Sequence, residues 1–432
     1  MKMTLLKEIL ANEVFPAVGC TEPVACAYAM SAAAGALGLP VEKLALTVDP
    51  GTYKNGAAVT IPNSGGRKGN LVAAALGAVI ARPELRLEVL REVPSGVLAR
   101  ALSLVEGGAA SYACKEDEKG LYIEARVEGG AARSRCVVAG GHANIVLLEK
   151  DGRIIVDGSA RVPAADGGYR ARMRSMTLAQ VLREAAALDD EDRAYIQCGI
   201  DMNLAAAEKG VDLKRNAYQL RQMMKQGFKA DDLFCRATEK VASAVDARMG
   251  GLPVPVMTSG GSGNQGVLTT LVPYIVGRDQ DVGLARIQES VAVGHAVNSY
   301  IKCFTGELSV ICGCAIAASI AASIAIVYQK AGIDMQRITF SIDNVIGDLC
   351  GIICDGAKSG CAMKITTGAE SAMRSAFMAL AGYGLSHDDG VLGMSAEESI
   401  RNLSRISLEG MAFVDSTVVR ILQDKAPRSG QA

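Results

Sequence analysis

Apolar and polar positions along the chain fall into two regimes. In the first, short apolar runs alternate with polar residues between turn signals. Leu44–Val48, LRLEVL (85–90), LYIEARVEG (121–129), SRCVVAG (134–140) and ANIVLLEKDGRIIVDG (143–158) read as strands. Lys150-Asp151-Gly152 between two β-branched runs is a hairpin turn. Helices are expected over Leu5–Ala11 and Leu71–Ile80. Another follows a cap at Thr21 or Glu22, with Pro23 in its first turn and Gly35, Gly38 and Pro40 as stops. DPGTYKNG reads as a turn leading into a further strand, AAVTIP.

In the second regime the spacing becomes helical almost throughout. It predicts helices over Thr177–Leu188, Glu191–Lys225, Ala230–Arg248 and Leu268–Val276, then Val282–Lys302, Cys314–Ala331, Met335–Leu349, Thr367–Gly382 and Ala396–Gly410. A composition shift at Arg161–Tyr169 marks a linker, and KAPRSGQA at the C-terminus reads as a disordered tail. The pattern therefore predicts an α+β fold. An N-terminal α+β domain with a small mixed sheet spans residues 1–165, and a large all-helical domain spans 166–432.

Composition narrows the function classes. Lys+Arg 45 against Asp+Glu 46 leaves a formal charge of -1 with no basic run, which argues against a nucleic-acid partner. Aromatics at 4%, with no Trp, argue against stacking platforms and a carbohydrate cleft. The N-terminal stretch carries Lys7, Glu8 and Glu13 where a signal peptide needs an unbroken apolar core. The 12 cysteines are therefore expected to be reduced thiols in a cytoplasmic protein. Most of them, such as Cys26, Cys198 and Cys235, read as plain buried side chains. Leu308–Tyr328 has 21 uncharged residues, long enough to span a membrane, but its Ala, Ser, Cys and Gly suit a buried central helix. No membrane partner is expected, and a homo-oligomer is compatible with the sequence.

Three features can carry chemistry. The first is the thiol-dense stretch holding Cys303, Cys312, Cys314, Cys350, Cys354 and Cys361. Its spacing lacks the paired knuckles of a zinc site but suits an iron–sulfur cluster assembled from distant helix ends; the alternative is a set of unconnected core cysteines. In CDGAKSGC, Gly356 and Gly360 permit a turn, and Asp355 and Lys358 put charges beside the thiols. The second is Cys20, immediately before a helix start, where unpaired N–H groups are expected to lower a thiol's pKa. The third is TSGGSGNQG (258–266), which feeds a helix start and offers N–H donors to an anion. There Ser259, Ser262, Asn264 and Gln265 are candidates to hold an amino acid's α-carboxylate, and the alternative is a flexible loop. Of the histidines, His142 is a loop acid/base or a turn residue, His295 a core histidine, and His387 a loop residue without a role. No lysine stands in a pyridoxal-phosphate context.

With these residues the chain resembles the L-cysteine desulfidase family, relatives of the iron–sulfur L-serine dehydratase α chain. The blocks that carry the likeness are VGCTEPVA (18–25), KNGAAVTIP (54–62), GGHANIVLLE (140–149), TSGGSGNQGV (258–267), IKCFTGELSVICGCAIAASIAA (301–322) and GIICDGAKSGCAMK (351–364). Ala57 and Gly260 depart from the family's pattern, the second with a bearing on substrate choice. The resemblance implies a [4Fe-4S] enzyme that eliminates sulfide from L-cysteine, giving pyruvate, ammonia and hydrogen sulfide. It implies Cys354, Cys361 and Cys314 (Cys312 as fallback) as cluster ligands in the helical, catalytic portion, and Cys20 as base. An open iron would act as Lewis acid. The N–H-rich loop would anchor the carboxylate, with Lys54 and Asn55 completing the site. Two other readings stay open: an L-serine dehydratase using the same mechanism, and a non-catalytic metal or redox-sensing protein.

Overall fold

The computed structural model describes residues 3–118, 120–158, 168–306 and 308–425. Residues 161–167 of the expected linker, with the expected domain boundary inside them, and residues 426–432 of the expected tail lie outside this set.

The chain begins with α1 (Leu5–Glu13), β1 (Pro16–Val18), α2 (Thr21–Leu37), β2 (Lys43–Val48), α3 (Pro50–Gly56), α4 (Asn70–Ile80) and α5 (Val97–Glu106). The strands β3 (Ala110–Cys114), β4 (Tyr122–Gly129), β5 (Ala132–Ala139), β6 (Ile145–Lys150) and β7 (Arg153–Asp157) follow. Then come α6 (Tyr169–Ser175), α7 (Leu178–Ala185), α8 (Asp190–Gly210), α9 (Asn216–Lys225), α10 (Leu233–Met249), β8 (Pro255–Met257) and α11 (Gly263–Asp279). The chain closes with α12 (Leu284–Thr305), α13 (Ala317–Ala331), α14 (Met335–Leu349), α15 (Cys361–Leu380), α16 (Ala396–Arg405) and α17 (Val414–Lys425). The fold is α+β, as the pattern predicts.

Among the described residues, β2 to β7 form one mixed sheet in the order β3-β2-β4-β5-β6-β7, with β2 and β3 parallel and the other pairs antiparallel. The expected hairpin joins β6 to β7, with Asp151 and Gly152 both at positive φ. Against the sheet lies α2, whose Ala, Ser and Cys side chains are almost all buried; it ends at Gly38. In the helical core α13 packs between α12 and α15, and His295 of α12 is buried there.

Several local expectations are corrected. KNG is not a turn but the end of α3, because Asp49 caps that helix by accepting from Thr52 N at 2.9 Å and Pro50 fills its first turn. AAVTIP forms only an isolated bridge, Thr60 to Lys68. The first four residues of LRLEVL belong to a 3-10 segment, Pro83–Glu88, with Arg86 at φ 49 inside it. Its Leu87, Val89 and Leu90 are buried, so the apolar spacing serves the core without a sheet partner. Glu191–Lys225 is broken by a short 3-10 turn into α8 and α9. Neither α5, α6 nor α17 was expected. Cys198 is exposed, whereas Cys26 and Cys235 are buried. Within Leu308–Tyr328 the helix begins only at Ala317, and the preceding stretch is a turn that presents Cys312 and Cys314. No helix among the described residues is long and apolar enough to cross a membrane.

Pairings between distant segments position the site. β1 runs antiparallel to β8, Pro16 opposite Met257, and so sets Cys20 beside the Gly-rich loop that follows β8. Ile311 bridges Ile353, with Cys312 N donating to Ile352 O at 2.8 Å and Cys354 N to Val310 O at 2.7 Å. In an antiparallel pair this register puts Cys312 and Cys354 on the same face as diagonal neighbours.

Candidate functional site

One cavity is lined by Cys20, Lys54, Asn55, Ser262, Asn264, Gln265, Cys312, Cys314, Cys354 and Cys361. It therefore gathers every expected catalytic, cluster-binding and substrate-binding residue except Ser259, while Cys303 and Cys350 of the thiol-dense stretch do not line it. That serine is fully buried, accepts from Asn298 Nδ2 at 3.1 Å, and does not reach the cavity. The loop's fold explains this: Ser259 pairs with Ser262 across a tight turn, and the turn directs residue 262 and its successors outward.

Helix starts build the wall. Cys20 is the N-cap of α2 and Ser262 the N-cap of α11, and neither caps its helix with a side-chain hydrogen bond. Cys361 opens α15, and the turn through Cys312–Cys314 leads into α13. Unpaired N–H groups and the positive ends of helix dipoles thus converge with Lys54, Arg248, Lys302 and Lys364 on one space. Such a site favours anions.

The Cys20 thiol is not lowered as expected. It is buried and donates to Glu22 Oε2 at 3.0 Å. Burial and the adjacent carboxylate push it well above the ordinary thiol value, and the opposing charge of Arg248 is too weak to reverse this. Glu22 takes the charge instead. Burial would push its carboxyl up, but His142 and the Cys20 thiol hold it below the usual carboxylate range. Its Oε1 accepts from Asn55 Nδ2 at 3.0 Å and lies 3.7 Å from His142 Nε2.

The other thiols hang on weak contacts. Cys354 Sγ faces Asn55 Oδ1 at 3.8 Å, Cys361 Sγ faces Gly356 O at 3.7 Å, and Cys314 Sγ faces Ser262 Oγ at 3.8 Å. Burial keeps Cys361 protonated, pushing it up to about 11. Cys312 is raised first by its contact with Cys314 and then by burial. Gly356 sits at φ +95, and a Cβ there would meet Lys54 O at 2.3 Å, so only glycine lets the CDGAK loop approach α3 this closely. Asp355 pairs with Lys358 and Lys364, which offset the effect of its burial and hold it down at about 2. Lys54 is buried and paired with Asp415 of α17. Burial would lower it, but Cys354 and Asp415 hold it above its ordinary value.

No group of three or more His, Cys, Asp or Glu among the described residues is placed to hold a single metal ion. A lone ion needs sulfur ligands about 2.3 Å from a common centre, whereas a cluster's thiolates bind separate irons and stand wider apart. Soft thiols with only weak partners, gathered at the positive ends of helices, suit the second kind of group.

The sequence reading missed four charged residues of the cavity, Glu22, Arg248, Lys302 and Lys364. Glu22 is visible in the sequence as a lone acid in an apolar stretch, but it reads there only as a capping residue. Arg248 lies in the last turn of α10 and Lys302 near the end of α12, and no local signal marks either. The Lys302 ammonium donates to Gly260 O.

The family model of the serine dehydratase alpha chain matches residues 118–420. A UPF0597 protein of Geobacter sulfurreducens is 48% identical over 98% of this chain and 99% of its own. One of Elusimicrobium minutum is 42% identical over 98% and 100%, and one of Clostridium tetani 38% identical over 98% and 98%. No solved structure matches the chain.

Proposed function

The chain belongs to the serine dehydratase alpha chain family, and on that premise we propose that it is an iron–sulfur lyase catalysing β-elimination from a small L-amino acid. L-Cysteine is the substrate we favour, with pyruvate, ammonia and hydrogen sulfide as products. One observation carries the reading: the Cys20–Glu22 pair faces the same cavity as Cys312, Cys314, Cys354 and Cys361, which lie about three hundred residues away in the chain.

Cys354, Cys361 and either Cys314 or Cys312 would hold a [4Fe-4S] cluster. When bound, it supplies an iron that acts as Lewis acid toward the leaving group on Cβ. The remaining steps belong to the chain. The N–H groups at the start of α11, with Ser262, Asn264 and Gln265, orient the substrate. The Cα–H bond breaks as its proton passes to Cys20 Sγ, its electron pair forms the Cα–Cβ double bond, and the thiol on Cβ leaves with the Cβ–S pair as hydrosulfide. In the same step the proton already on the Cys20 sulfur moves along the existing hydrogen bond to Glu22 Oε2. This relay lets a protonated thiol serve as base without first ionising. His142 stands behind Glu22 and also lines a neighbouring cavity bounded by Glu13, Tyr169 and Arg170, through which the proton leaves. The 2-aminoacrylate released hydrolyses to pyruvate and ammonia without a further protein group.

The same groups serve L-serine with hydroxide leaving, and the family's description favours that substrate as the second reading. Protein prepared anaerobically is tested by measuring iron, sulfide and pyruvate with L-cysteine and with L-serine. Sulfide and pyruvate from L-cysteine support the first reading, and pyruvate from L-serine alone supports the second. An iron-loaded protein that yields neither product overturns both.

A further inference from the structure

Arg248 is a cation in a place that suits anions. Its side chain is only 2% exposed and lines the cavity. It donates from Nη1 to Asn264 Oδ1 at 2.9 Å and from Nη2 to Thr21 Oγ1 at 3.1 Å, both neutral acceptors, and its Nε has no partner. Among the described residues no Asp or Glu pairs with it; Glu22, the acid nearby in sequence to Thr21, is engaged by Cys20, Asn55 and His142. The guanidinium touches the first residues of both α2 and α11, where the helix dipoles are also positive. A buried charge without a counter-charge costs several kcal/mol, and two like-signed helix ends add to that cost. Gly263 keeps room for it, because a Cβ there would meet Arg248 Nε at 2.3 Å. The protein thus maintains an uncompensated, forked donor facing a cavity.

We propose that Arg248 binds the α-carboxylate of the amino-acid substrate and so restricts the site to ligands that carry one. The planar fork of a guanidinium matches a carboxylate's two oxygens, and the helix starts of α2 and α11 add N–H donors of the same polarity. Position also fits the chemistry. The carboxylate carbon is bonded directly to Cα, so holding it beside Thr21 brings the Cα–H bond to the adjacent Cys20. The charge of Arg248 acts on the Cys20 thiol, which places it on the base side of the cavity. The substrate class assigned here rests on the lyase reading, while the need for a carboxylate rests on Arg248 itself.

The test is calorimetric titration of anaerobically prepared protein with L-alanine, which has the carboxylate but no leaving group, and with ethylamine, which lacks the carboxylate. The unmodified protein should bind L-alanine and not ethylamine. Arg248→Gln should weaken L-alanine binding by roughly 30-fold or more, the usual scale for losing a buried charged hydrogen-bond partner. Arg248→Lys, which keeps the charge but not the fork, should fall between. If Arg248→Gln fails to fold by circular dichroism, Arg248→Lys and the ethylamine comparison decide. Equal binding of L-alanine and ethylamine, no binding of L-alanine, or a folded Arg248→Gln protein that binds L-alanine within about twofold of the parent overturns the assignment. Arg248-dependent L-alanine binding in a protein that eliminates nothing would leave this assignment standing and sink the lyase reading. Elimination with an unchanged KM in Arg248→Gln would do the reverse.

Discussion

Helix α12 passes through two buried environments that differ in how their polar groups find partners. In its middle, and in the neighbouring α13 and α14, hydroxyls bond to their own helices: Ser290 to Ile287 O at 2.7 Å, Ser319 to Ala315 O at 2.7 Å and Ser341 to Ile338 O at 3.0 Å. At its end, where Lys302 reaches the cavity and donates to Gly260 O, partners come from farther along the chain. Arg248 meets Thr21 across 227 positions, Cys354 meets Asn55 across 299, and Lys54 meets Asp415 across 361. A helix can satisfy small hydroxyls locally at little cost. Charges and thiols without local partners require the whole fold to place them, and they persist where chemistry uses them.

The largest effect that would test this contrast is at Cys361. Cys361→Ser should remove the broad visible absorption of anaerobically loaded protein and bring elimination below detection. Full iron content in that variant would take Cys361 out of the ligand set.

Next come the two members of the proton relay. Cys20→Ala and Glu22→Gln should each leave iron content unchanged and lower kcat by roughly two to four orders of magnitude, the usual worth of a general base. Because the two act through one hydrogen bond, the double variant should be little worse than either single one. Losses that simply multiply in steady-state assays would show that the two groups work independently.

The core side of the contrast is read by pH. Burial pushes His295 down to about 4 in the folded protein, against an ordinary value of 6.5. Between those values the unfolded chain takes up a proton that the folded chain does not, so the neutral imidazole's contribution is complete above 6.5 and is lost as pH falls toward 4. Relative to His295→Asn, the parent should lose about 2 kcal/mol of stability on going from neutral pH to about pH 5. Denaturant melts of both proteins at the two pH values measure it, and parallel profiles would mean that His295 is hydrated.

The smallest effect belongs to the locally bonded hydroxyls. Ser341→Ala should change stability by less than about 1 kcal/mol and leave kcat untouched. A loss of activity there would break the distinction between the two environments.

Much of the chemistry was legible because it is local. Cys20 precedes Thr21 and Pro23, and a helix does start there; Ser262 precedes an apolar run, and α11 starts there. The CDGAKSGC turn was marked by its glycines. What misled was local too. AAVTIP has strand composition, yet Val59 and Ile61 are buried against the core without a ladder to join. Ser259 looked equivalent to Ser262, but a two-residue glycine turn between them sends one inward and the other to the cavity.

The sequence by itself determined most helices of the second half, where an anion-favouring helix start would occur, and which thiols were candidates for a shared site. Those depend on capping, spacing and side-chain chemistry within a few residues. Tertiary structure alone decided that the helix starts meet, that Arg248 arrives among them without a counter-charge, and that Glu22 rather than Cys20 carries the negative charge. Desolvation and long-range pairing set those outcomes, and neither is a property of any short stretch of the chain.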